Sequence, residues 1–67
     1  MSPRDLYSLG YSHQEVLLVG RLLSDANTSV NCLKGITRES IQGRRLVAHA
    51  RKHVEQQRMA REYGYAS

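Results

Sequence analysis

The stretch GRRLVAHARKHVEQQRMAR, residues 43 to 61, decides the fold. It contains no proline and is rich in Arg, Ala, Leu, Gln and Met, all good helix formers. Working outward, Thr37 can cap such a helix, with Arg38, Glu39 and Ser40 as its first turn. Nothing breaks the pattern until Gly64. The reading is one helix over residues 38 to 62, roughly 37 Å long. Gly43 lies inside it at a cost of about 1 kcal/mol and marks a place of close packing. Gly43, Leu46, Val47, Ala50 and Val54 share one face at helical spacing, and the same line continues through the polar Gln57 and Arg61. The first four turns are therefore expected to be buried and the last two to project or meet a partner. A sparser second stripe runs through Ile41, Ala48, Met59 and Tyr63.

The chain before this helix supplies what it packs against. Ser2-Pro3-Arg4-Asp5 reads as a helix start and Gly10 as its left-handed stop, giving a short helix over residues 3 to 9. Ser12 and Glu15 have capping-box spacing. Val16, Val19, Leu22, Leu23 and Ala26 follow at helical intervals, with Leu17 and Leu18 widening the stripe, so a second helix is placed over residues 13 to 26. Residues 29 to 36 fit one or two helical turns or an extended segment. The turn is preferred because a lone strand has no partner in this sequence. Tyr7 and Tyr11 are expected to cover the small core, and the tail YGYAS to fray. The fold class is all-α: one domain over residues 1 to 67, with three to four helices and a long basic C-terminal helix.

Composition narrows the function. With 67 residues and a single cysteine, Cys32, no internal disulfide can form. Cys32 is expected to be a small buried residue. No apolar run is long enough to cross a bilayer, and MSPRDLYSLG lacks the pattern of a signal peptide, so a cytoplasmic location is expected. The net charge is +4. Residues 1 to 36 are balanced: Arg4, Arg21 and Lys34 offset Asp5, Glu15 and Asp25. From Thr37 onward seven cations face only Glu39, Glu55 and Glu62, so the whole excess lies in the second half. That asymmetry points to an anionic partner.

Arg44, Arg51 and Arg58 recur every seven residues, forming a line of about 21 Å beside the core stripe. Such a ridge can follow a phosphate backbone. The plain alternative is a solvated face in which Glu55 pairs with Arg51 and Arg58. A parallel homodimeric coiled coil is disfavoured, because the positions facing the arginines would be Leu46, His53 and Ala60 rather than acids. Antiparallel or heterologous pairing stays open, and a homo-oligomer with it.

The segment SVNCLKGITRESIQGRRL resembles a helix-turn-helix unit. The resemblance covers 18 residues, with Gly35 in the turn and Ile36 and Ile41 inward. It implies that Arg38, Glu39, Gln42 and Arg45 face the groove, where Arg and Gln read guanine and adenine edges. The segment departs from the pattern in its short first helix, in Asn31 where a small residue is expected, and in the length of the second helix.

His49 and His53, at i and i+4, have a metal-ligand spacing, yet Arg51 and Lys52 beside them repel a cation and further ligands are lacking. No metal and no cofactor is expected. No nucleophile arrangement or phosphate-cradling loop is visible, so the chain is read as no enzyme. Two functions remain. One is a small nucleic-acid-binding regulator, of the size found among phage and plasmid factors, with Arg44, Arg51 and Arg58 on phosphates. The other is a protein-interaction module or modulator of a larger enzyme, with Ile41, Met59 and Tyr63 in the contact and the arginines against an acidic protein surface.

Overall fold

A computed structural model describes residues 4–63. The proposed helix start at Ser2 and Pro3, and the tail from Gly64, lie outside the described residues. The elements are α1 (Arg4–Ser8), α2 (His13–Asp25), a one-turn 3-10 segment (Val30–Leu33) and α3 (Ile41–Tyr63). Among the described residues there is no strand, and the domain is all-α.

Gly10 ends α1 at φ +95, a conformation open to glycine, and hands the chain to α2. The capping box forms: the Ser12 hydroxyl accepts from the Glu15 N–H at 3.2 Å, and the Glu15 carboxylate accepts from the Ser12 N–H at 2.8 Å. The 3-10 segment is capped by Ser29, whose hydroxyl accepts from the Asn31 N–H. Its period of three turns Val30 and Leu33 inward together. Cys32 falls between them and is exposed, not buried as the residue type had implied.

The long helix starts three residues later than Thr37 capping requires. Ser40 is the residue that caps it: its hydroxyl accepts from the Gly43 N–H at 3.0 Å and donates to the Thr37 carbonyl at 2.7 Å. Residues 38 to 40 instead form a turn fastened to the α1–α2 connection by the Arg38 N–H donating to the Leu9 carbonyl. Arg38 is therefore not on the helix.

α2 and α3 pack side by side and run in the same sense. Glu15, near the start of α2, lies with Arg44 and Val47 of α3, and Asp25, at its end, meets His53 and Gln57. The core gathers Leu6, Tyr11, Val16, Val19, Leu23, Leu33, Val47 and Ala50. Leu17 is not part of it: it stands at the margins of the α1 and α3 contacts and remains 61 % exposed. Tyr11 is buried and donates to the Ile36 carbonyl at 2.9 Å, whereas Tyr7 stays on the surface.

A lengthwise pairing of α2 with α3 differs from a helix-turn-helix unit. Here a single 3-10 turn and a seven-residue connector, residues 34 to 40, precede α3. The segment before the connector is too short to act as the supporting helix of that motif.

Candidate functional site

The seam between α2 and α3 collects cations from three elements. At its upper end Arg38, from the connector, and Arg44 and Arg51, from α3, border a hollow floored by Val47 and Ala48. The hollow continues where Arg51 faces Arg21 of α2 across Leu17, Leu18 and Val54. It ends where Val54 is flanked by Arg58 and Arg61, with Glu62 beside them. Because Arg51 and Val54 are each shared by neighbouring hollows, the three form one track. The seven-residue spacing of Arg44, Arg51 and Arg58 places them along its α3 bank.

These cations differ in how far they are already neutralised. Arg38 Nε donates to Glu15 Oε2 at 3.1 Å, and its Nη1 lies 3.3 Å from Glu39. The bond to Glu15, then the charge beside it, raises the Arg38 pKa. Glu15 is shifted the other way: the Ser12 N–H, ahead of Arg38, holds its carboxyl below the usual glutamate range. Arg38 thus fixes the connector to α2 and has little charge left to offer. Arg44 reaches Glu39 only at 3.7 Å with its side chain 67 % exposed, a weak surface pair. Arg45, Arg51, Lys52, Arg58 and Arg61 make no ion pair among the described residues. Among the described residues Glu55 forms no ion pair with Arg51 or Arg58.

Gln42 and Arg45 are exposed in the first two turns of α3 but point away from the seam, on the outer side of the helix. The geometry therefore separates them from Arg44, Arg51 and Arg58, with Arg38 apart from both groups in the turn. Ile41, Met59 and Tyr63 lie on the outer side too, at 70 %, 48 % and 65 % exposure.

The histidines at i and i+4 do not converge on a common site. His53 Nε2 bonds Asp25 Oδ2 at 2.8 Å, and Gln57 Nε2 donates to the same oxygen at 2.8 Å. Arg21 approaches it at 3.4 Å. His53 first, then Gln57, holds the Asp25 pKa below the usual aspartate range. His49, one turn earlier on α3, remains exposed. Among the described residues no group of three His, Cys, Asp or Glu side chains is placed to hold a metal ion. None of their helices is long and apolar enough to cross a membrane.

Sequence reasoning placed the α3 ridge but missed Arg21 as its counterpart. Arg21 is separated from Arg51 by thirty positions, and only the packing of α2 on α3 sets them on one track. No protein-family model, no curated protein and no solved structure matches the chain.

Proposed function

We propose that this protein binds the phosphate backbone of a nucleic acid along the α2–α3 seam. The observation that carries the reading is the run of arginines with unspent charge, Arg51 and Arg58 above all, along a track that Arg21 faces from the other bank. Guanidinium groups suit phosphate because they present forked donors and stay charged at any physiological pH. Neutralising successive phosphates releases condensed counterions, which gives affinity without sequence preference. Arg44, Arg51 and Arg58 are the phosphate contacts in this account, and Arg21, which also approaches Asp25, faces them from the other bank. Gln42 and Arg45 are the nearest groups on the outer face for base edges. Arg38 is a positioning residue that holds the connector through Glu15.

The direct test is anisotropy of labelled random duplex DNA and of single-stranded RNA, titrated with the protein at low salt. Binding that disappears when Arg44, Arg51 and Arg58 are replaced by Ala supports the reading. No binding at low salt, or equal binding by the triple variant, overturns it.

A second reading is an acidic protein partner, and the 70 % exposure of Ile41 close to Arg45 favours it. A large apolar side chain beside a cation is typical of a protein contact and adds nothing on a phosphate backbone. Loss of a captured partner on Ile41→Ser, with nucleic-acid affinity unaltered, is its signature.

A further inference from the structure

Ala50 is wholly buried and marks the middle of the core side of α3. The opposite side carries six exposed residues: Ile41, Arg45, Ala48, Lys52, Glu55 and Met59. Ile41 and Met59 are eighteen residues apart, five full turns, so they point the same way, directly opposite Ala50. Ala48 and Lys52 lie about 20° to either side of that line, and Arg45 and Glu55 about 40° to either side. Arg45, Lys52 and Glu55 make no ion pair among the described residues.

These six residues form three pairs, each evenly spaced about position 50: 41 with 59, 45 with 55, and 48 with 52. A face with that symmetry complements itself when a second copy is laid on it antiparallel. Ile41 then comes level with the partner's Met59, apolar on apolar. Arg45 comes level with the partner's Glu55, cation on anion. Lys52 comes level with the partner's Ala48, where its stem lies on a small side chain and its ammonium stays in water. Ala48, near the middle, lets the two backbones approach. The longer Ile41 and Met59 fill the ends, where crossing helices diverge. A parallel pairing in register would instead set Arg45, Lys52 and Glu55 each against its own kind, like charge on like.

We propose that two copies of this chain pair antiparallel through the outer face of α3, with Ile41 on the partner's Met59 and Arg45 on the partner's Glu55. The contact is isologous: each pair occurs twice, and association closes at a dimer. Arg44 borders the contact about 60° from its centre, while Arg51 and Arg58, about 80° and 100° away, stay on the open seam. Arg45 is taken up in the pairing, so in the dimer it no longer serves base edges and the seam carries the phosphate contacts.

Sedimentation of nucleic-acid-free protein tests this independently of the seam. With rising concentration the wild-type chain is expected to go from its 7.6 kDa monomer mass to twice that and no further. Arg45→Glu and Glu55→Arg each change an exposed residue with no ion pair in its own chain, so both fold, as helix content by circular dichroism checks. Each variant alone sets like charges together at both ends of the contact and is expected to stay monomeric. Mixed in equal amounts, the two variants are expected to dimerise again, because every acid of one then meets a cation of the other. The double variant in one chain is expected to dimerise for the same reason. A wild-type chain that stays monomeric at every concentration, or grows beyond a dimer, overturns the proposal. So does undiminished association of either single variant, or a mixture that remains monomeric.

Discussion

Gly43 faces the carbonyl of Thr37 so closely that a Cβ at position 43 would lie 1.9 Å from that oxygen. The same Cβ would be 3.0 Å from the Tyr11 hydroxyl, which itself donates to the neighbouring Ile36 carbonyl. The connector is thus pressed onto the first turn of α3, and only a residue without a side chain allows it. That contact sets where α3 begins and hence where its arginines fall along α2.

Gly43→Ala is expected to destabilise the fold. Alanine favours a helix by about 1 kcal/mol over glycine. The clash is with backbone, which cannot rotate aside, and overpacking of this kind costs roughly 1–3 kcal/mol or more. The expected net loss is up to about 2 kcal/mol, read as a lower urea midpoint with an unchanged slope. A raised midpoint would show that the connector does not sit against α3.

Glu15 gives the fold a defined acid response. Its folded pKa is depressed, so its contribution is fully present above the unfolded value and is lost as pH falls through the folded one. Unfolding free energy should decline below about pH 4.3. Glu15→Gln should lower stability at neutral pH and flatten this decline. Arg38→Ala should leave most of it, since the Ser12 N–H is the larger cause. Asp25 adds a decline of the same sign through His53. Identical acid profiles for wild type and Glu15→Gln would remove Glu15 from the account.

Gln57 has a buried carbonyl oxygen, Oε1, with no hydrogen-bond partner among the described residues, while its amide nitrogen serves Asp25. An orphaned buried acceptor costs about 1–3 kcal/mol. Gln57→Leu deletes both the orphan and one bond to an oxygen that keeps His53 and Arg21. The expected thermal midpoint is equal to or above that of wild type. A marked drop would mean that the amide bond to Asp25 outweighs the orphan.

The parts of the fold that a sequence shows are those carried by neighbours. Ser12 and Glu15 are three residues apart, Gly10 stops a helix by itself, and the Gly43–Val47–Ala50 face repeats at helical spacing. Contacts between distant residues carry no such signal. Arg38 reads as part of a helix until Glu15, twenty-three positions earlier, is seen to hold it. Thr37 reads as the cap, but the role falls to Ser40 because the connector is needed to reach Leu9. Leu17 has the residue type of a core position, but three elements cannot surround α2 on every side. The α3 ridge was legible because it lies on one helix; the opposing Arg21 was not.

The salt dependence of nucleic-acid binding tests the central claim most directly. The observed affinity of the wild-type chain should fall linearly with salt on logarithmic axes. Each phosphate contact adds about 0.9 to the slope on duplex DNA and about 0.7 on a single strand. Replacing Arg44, Arg51 and Arg58 with Ala should reduce the slope by up to about 2.7 on duplex, or about 2 on a single strand. An unchanged slope in that variant, or an affinity indifferent to salt, would contradict a seam that holds phosphates.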